Sequence, residues 1–528
     1  MKKIRSIIVL SFTAILLYTA CSDEAFDKRF TDPSKTSTVT VEKLMTGTFE
    51  KGNKYTMPWY MRYFAFETQQ MGRYSQIMGW TNGNGMYSLN DSYNNERWYT
   101  FYKVLAQYRL LEDTWNKMED SQKPLYEVFK HITRIYVYDN LHQIVDIWGD
   151  VPFSEAGYVG LRLDIEASKP AYDKAEDLYT LMLSDLKTIN SFLAGYSPTS
   201  IVNTQLKEQD YINGGDLGKW RIYCNSLRLR IASRAAENGP LTTEARGVIA
   251  EILGDPSTCP IVTANDENIQ INFQSPDLTS MTGQHEEGIR GGFESWNGSV
   301  NRAGKAYLDQ LKDDPRLKII YDTNAEGEYA GMDPLMSSTE QDRLFNRPQE
   351  QGGNYFSAVD SGTFSRNNRF PGILITASEM DFIRAEAAQK WGISNNAEAS
   401  FESAVQKSIA YYYYINSLGE YREPVTAPGK DEIEAFATKK WNDYSSKEEA
   451  IAVQRWVHHG MLQMVQAWSE YRKTGYPVLT FQEDRGSIDT PAPPARYRYT
   501  NDEKVNNTAN YNAVQSKDGY YDKLFWAK

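Results

Sequence analysis

The chain has 528 residues, a net charge of −12 and 13% aromatic residues, with 36 Tyr and 12 Trp. That length allows a large core or several domains. The acidic balance argues against a nucleic-acid partner, because phosphate binding needs a basic face. Three cysteines cannot make a disulfide framework, so the fold must stand on packing, with one pairing of Cys224 and Cys259 left open.

The chain begins with Lys2, Lys3 and Arg5, continues through an apolar stretch from Ile7 to Leu17, and places Thr19 and Ala20 just before Cys21. This is the three-part layout of a secretory signal peptide. The uncharged run from Ser6 to Ala20 is shorter than the roughly 18 residues a membrane span needs. Small residues followed by Cys21 resemble a bacterial lipobox, in which the thiol is acylated and the chain is cut before it; Tyr18 departs from the usual leucine. Ordinary cleavage with an idle cysteine is the alternative. Ser22, Asp23 and Glu24 resemble a surface-export signal of Gram-negative lipoproteins. One acyl chain anchors a protein marginally and two or more anchor it stably. The expectation is therefore a signal peptide at 1–20, a lipidated Cys21, a tether over 21–36 and one domain over 37–528.

Helical periodicity dominates from there on. Trp98, Phe101, Tyr102, Leu105 and Tyr108 mark one amphipathic helix. Ile132, Ile135 and Tyr136, then Leu141, Val145 and Trp148, mark a second that Gly149 stops. Trp220, Cys224, Leu227 and Ile231 form a third, with Asp216 as its N-cap. Met380, Ile383, Ala387 and Trp391 form another. Val457, Met461, Met464, Trp468 and Tyr471 predict one late helix, stopped by Gly475 and Pro477. Ser446 with Glu449 is a capping-box pattern. Long irregular stretches are expected at 79–97, 255–302, 322–372 and in the tail 484–528, where loops of this length are commonly functional or disordered. Short strands are expected at 268–273 and 478–481. The helix pairs could be degenerate tetratricopeptide-like repeats.

Several segments in order resemble the SusD/RagB family of surface nutrient-binding lipoproteins. They are "DIWGDVPFSEA" at 146–156, "KPAYDKAEDLYTLMLSDL" at 169–186 and "DYINGGDLGKWRIYCNSLRLRIASR" at 210–234. "DPRL" at 314–317, "TASEMDFIRAEAAQKWG" at 376–392 and "QAWSEYRKTGYPVL" at 466–479 follow, then "ARYRY" at 495–499 and "DKLFWAK" at 522–528. The resemblance implies a mainly α, tetratricopeptide-like scaffold with long loops and few strands. It also implies a glycan ligand, a SusC-like TonB-dependent transporter as partner and lipid-anchored residence at the outer-membrane surface; no cofactor is expected.

Read bottom-up, the motif residues are structural: Asp146 and Asp150 at a helix end, Pro152 forcing an extended exit, and Lys473 favoured at a helix C-terminus. Glycan capture requires aromatic faces for sugar C–H groups and amides for hydroxyls. The loops supply that mixture in Tyr74, Trp80, Asn82, Asn84, Tyr87 and Asn90, in Arg290, Trp296 and Asn297, and in Tyr355 and Phe356. The competing reading makes Trp80 and Trp296 loop anchors packed on the core. A glycosidase would need two facing carboxylates, for which Asp146/Asp150 and Glu286/Glu287 are the local pairs. The adjacent His458 and His459 point to different helix faces and do not converge on one ion. There is no HExxH, no G-x-S-x-G and no phosphate loop, so the expectation is a binding protein with no catalytic residue and no metal-ligand spacing; a carbonyl-rich calcium site leaves little trace in sequence and stays open. A peptide or other non-sugar cargo is the alternative ligand.

Overall fold

The computed structural model describes residues 39–273, 286–294, 301–394 and 396–528. Its principal helices are α1 (Val41–Thr56), α2 (Asp91–Asn116), α3 (Lys123–Trp148), α4 (Ala175–Gly195), α5 (Ser200–Gln209), α6 (Leu217–Ala235) and α7 (Thr242–Gly254). They continue as α8 (Glu286–Glu294), α9 (Ala377–Trp391), α10 (Ala397–Leu418), α11 (Lys430–Asp443), α12 (Lys447–His459) and α13 (Met464–Thr474). Neighbours in sequence pack on one another: α1 on α2, α2 on α3, α6 on α7, α9 on α10, α10 on α11 and α12 on α13. This is a tetratricopeptide-like helical-pair scaffold. The α6 helix joins the halves, touching α3 and α4 on one side and α9 on the other.

Local chemistry sets the helix ends. The Asn90 side chain accepts from Tyr93 N and starts α2, so the last part of the expected 79–97 loop is helix. Asp216 accepts from Gly218 N and Lys219 N at the head of α6, and Ser446 accepts from Glu449 N at the head of α12. Gly149 and Gly475 close α3 and α13 with φ of 80° and 76°, values that suit glycine.

The late helix expected through Val457–Tyr471 is two helices. The α12 helix stops at Gly460, where an added Cβ would fall 1.9 Å from the Tyr307 hydroxyl. The freed carbonyls of Met461 and Leu462 accept from Tyr63 and Arg62. Glu67 accepts from Met464 N, capping the start of α13. The apolar spacing carried across a break that tertiary partners create.

The paired strands are β1 (Ile269–Ile271) and β2 (Gly372–Ile375), antiparallel to each other. The first lies inside the expected 268–273; the second was not anticipated, and 478–481 forms no strand. Helix α1 and the π-helical segment Met61–Met71 were also missed, although Val41, Leu44, Met45, Thr48 and Phe49 carry helical spacing and are buried.

The family-like motifs meet inside the molecule. Arg230 on α6 binds Glu379 on α9 at 2.5 Å and faces Asp139 at 3.5 Å. Arg234, one turn on, contacts Glu470 on α13 at 2.5 Å and Asp146 on α3 at 3.2 Å. Arg455 reaches Glu470 at 3.1 Å and Glu386 at 3.3 Å, and Lys473 binds Glu386 at 2.6 Å. All of these side chains are buried. Charges this deep persist only when paired, so the five helices carrying them, α3, α6, α9, α12 and α13, are held in one register. Asp210 has a similar role at the Gly214–Gly215 turn, accepting from Gly215 N at 2.8 Å and Trp220 Nε1 at 2.7 Å. The tail folds back on the end of α3, where Tyr497 N donates to Ile147 O and Trp148 Nε1 donates to Arg498 O.

Candidate functional site

The 79–97 loop, with Tyr74 just ahead of it, was expected to present aromatic and amide groups to ligand. Tyr74 is 1% exposed and donates its hydroxyl to Tyr87 O at 3.1 Å. Trp80 is buried, stacks on Phe481 with centroids 6.2 Å apart, and donates Nε1 to Asn82 Oδ1 at 3.0 Å. Asn82 spends its amide on Pro334 O, Met336 O and Gln482 Oε1, and Tyr87 donates to Gln482 O at 2.7 Å. These four residues therefore hold the loop against 334–341 and 481–482; with their polar atoms committed and their rings covered, they do not offer a sugar-binding face. Asn90 is a helix cap, Phe356 is buried, and Tyr355 is half-buried with Arg347 over its ring. What the loop leaves open is a polar cleft of about 460 Å³ lined by Asn82, Asn84, Ser338, Gln482, Glu483 and Arg485, among others.

The second predicted cluster is partly described. Arg290 is exposed on α8 and pairs with Glu294 at 3.0 Å. Glu294 also accepts from Arg366 Nε at 2.9 Å and Ser365 Oγ at 2.7 Å. Burial would raise its carboxyl, but the hydrogen bonds from Arg366, Ser365 and Arg290 hold it below the usual range. Trp296, Asn297 and Cys21 lie outside the described residues, as do the side chains of Glu286 and Glu287.

Two aromatic residues that sequence reasoning passed over flank α8. Trp59 is 38% exposed and lies on the glycine face of the helix: an added Cβ at Gly288 would sit 2.6 Å from its ring. Beneath it, Tyr63 packs on Phe293 with centroids 4.3 Å apart. Tyr421 is 49% exposed and takes the Arg366 guanidinium 4.5 Å from its ring centroid. The "MPWYMRYFAF" run, dense in aromatics, could have drawn notice to Trp59; Tyr421 stands alone in a charged loop and gives no such signal.

The acids considered for catalysis have structural work. Asp146 is buried, contacts His142 and Arg234 at 3.2 Å each, and accepts from Tyr179 OH. Burial pushes its carboxyl up, and the His142 and Arg234 charges hold it below the ordinary range nonetheless. Asp150 accepts from Ala175 N at 2.9 Å, at the start of α4, and binds Lys517 at 2.8 Å. His458 is fixed between Thr376 and Ser408 at 2.8 and 2.9 Å, and burial lowers the basicity of both it and His459. Among the described residues no cluster of His, Cys, Asp and Glu suits a metal ion, and no helix is long and apolar enough to cross a membrane. Cys224 and Cys259 are free, buried thiols.

A family model described as starch-binding and associating with the outer membrane, SusD-like, matches residues 31–500. No curated protein matches the chain. Among solved structures, a chitin-binding protein is 21% identical with a TM-score of 0.72, covering 91% of this chain and 99% of its own. A Bacteroidetes SusD-like protein is 19% identical with a TM-score of 0.71, over 93% of this chain and 100% of its own. A chitin-binding SusD homolog from Flavobacterium johnsoniae is 21% identical with a TM-score of 0.66, over 91% and 98%.

Proposed function

The chain belongs to the SusD-like family, and from that premise we propose that it is a surface lipoprotein that binds glycans and passes them to a SusC-like TonB-dependent transporter. The match over residues 31–500 carries the reading. The N-terminal sequence supports the anchor: an apolar run too short to span a bilayer ends at Cys21, where acyl chains would hold the protein to the outer membrane. On this reading residues 1–20 are removed, 21–36 form the tether and 37–528 make up one domain.

The ligand face we assign lies around α8. Arg290 is exposed there, Trp296 and Asn297 follow it in sequence, and Trp59 adds a half-exposed indole on the glycine face. The buried Tyr74, Trp80, Asn82 and Tyr87 serve as the support of the neighbouring cleft, whose exposed amides suit hydroxyl groups. The protein acts by binding and delivery and performs no hydrolysis; Asp146 and Asp150 are engaged in the scaffold.

Calorimetry on residues 22–528 with starch oligosaccharides, chitin oligosaccharides and peptides tests this. Saturable binding of one oligosaccharide class is expected. Binding of peptides with silence toward every glycan would overturn the sugar reading and favour a peptide cargo for the same transporter.

A further inference from the structure

Residues 419–429 form an exposed strap between α10 and α11, without regular structure. Three consecutive strap residues are each held by a charged partner. Glu420 pairs with Arg369 at 2.7 Å, Tyr421 accepts at its hydroxyl from Arg366 Nη1 at 2.7 Å, and Arg422 reaches Asp322 at 2.7 Å and Asp360 at 3.2 Å. At the root of the strap, Gly419 comes so near the Gly362 carbonyl that an added Cβ would lie 2.3 Å from its oxygen. Val425 N donates to Asn416 Oδ1 at 2.7 Å on the far side of these contacts.

Ion pairs open to solvent, such as Glu420–Arg369 and Arg422–Asp322, add little stability. The effect of this arrangement is to fix position. The residue at its centre is Tyr421, whose ring has the Arg366 guanidinium against it and yet stays half exposed. Arg366 and Arg290 both hold Glu294, so the Tyr421 ring is tied to the same end of α8 as Arg290.

We propose that the strap presents Tyr421 as a pre-oriented stacking face for one pyranose ring of the ligand, with Arg290 and Arg369 as donors to its hydroxyls. The inference rests on the glycan-binding reading and adds to it a contact residue and a ring-stacking mode. A ring held in place before binding loses little rotamer freedom when a sugar arrives, and that loss is one of the costs of association. Tyrosine suits the role because its ring is apolar and its hydroxyl is already engaged by Arg366.

The test is calorimetry on residues 22–528 with starch oligosaccharides and chitin oligosaccharides, using wild type, Tyr421→Ala, Tyr421→Phe, Arg366→Met and, as a control distant in sequence, Tyr521→Ala. Removal of the ring is expected to weaken binding about tenfold or more. Tyr421→Phe keeps the face and should stay within about threefold, Arg366→Met should fall between the two, and Tyr521→Ala should bind as wild type. Melting curves confirm that each variant is folded. Wild-type affinity in Tyr421→Ala would overturn the stacking role and leave the glycan reading intact. A wild-type protein that binds no oligosaccharide would overturn the glycan reading, and the stacking role with it.

Discussion

Replacing Glu470 with Gln removes one charge from the centre of the buried network while nearly preserving volume. Glu470 is 2% exposed and faces Arg234 at 2.5 Å, Arg455 at 3.1 Å and Lys473 at 3.8 Å. Breaking a buried pair costs about 3–5 kcal/mol, because a desolvated charge loses its counter-ion. Here each cation keeps a second carboxylate: Asp146 for Arg234, and Glu386 for Arg455 and Lys473. The lower end, about 3 kcal/mol, is therefore expected. The urea slope of a chain this long exceeds the roughly 3 kcal/mol/M of small proteins, so the midpoint should fall by about 0.5 M. Tryptophan fluorescence and circular dichroism in urea at pH 7 would measure it. The three cations hold the Glu470 carboxyl below its ordinary value against the opposing effect of burial. A depressed carboxylate contributes stability that is present above its unfolded pKa and lost as pH falls through the folded one. The gap between variant and wild type should accordingly narrow below about pH 4. A midpoint shift under about 0.3 M at pH 7, or a gap unchanged in acid, would refute the reasoning.

Asp360 should behave oppositely: burial, then the neighbouring Asp322, raises its carboxyl to about 6. Its proton contributes stability in acid that is lost as pH rises through about 6, so Asp360→Asn should be more stable than wild type at pH 7.5 and about equal at pH 4, read from urea midpoints. In Gly52→Ala the new Cβ would lie 2.0 Å from the Tyr136 hydroxyl. The gain of about 1 kcal/mol in helix propensity should lose to overpacking of about 1–3 kcal/mol, giving a lower melting temperature. With Cys21 absent, a thiol reagent should find Cys224 and Cys259 unreactive in the folded protein and both reactive after unfolding, because the two are free and buried. Trp80→Ala should lower the melting temperature while leaving oligosaccharide affinity within about threefold, since the indole supports the loop and is covered by it.

The scaffold was legible where period and caps agreed. Asp216 ahead of the Trp220 stripe, and Gly149 after Trp148, set helix ends that the structure reproduces. The loops were harder because composition cannot separate an aromatic that faces solvent from one that faces protein. Trp80, Asn82 and Tyr87 have the residue types of a sugar site and are consumed by partners some 250 to 400 positions away. The break at Gly460 and the strand Gly372–Ile375 likewise depend on contacts about 100 or more positions away, from Tyr307 and from Ile269–Ile271. Tyr421 gave no signal because what distinguishes it is the set of arginines around it, none of which is adjacent to it except Arg422.

The ion network also constrains the order of assembly. Arg230 and Glu379 are 149 positions apart, and Arg234 and Glu470 are 236. While the chain is still being synthesised, Arg230 and Arg234 of α6 have only Asp139 and Asp146 of α3 as counter-ions, and the closer carboxylates, Glu379 and Glu470, come later. The network is therefore complete only once nearly nine-tenths of the polypeptide has been made. The buried charges thus tie completion of the core to the arrival of α13, the last of the principal helices.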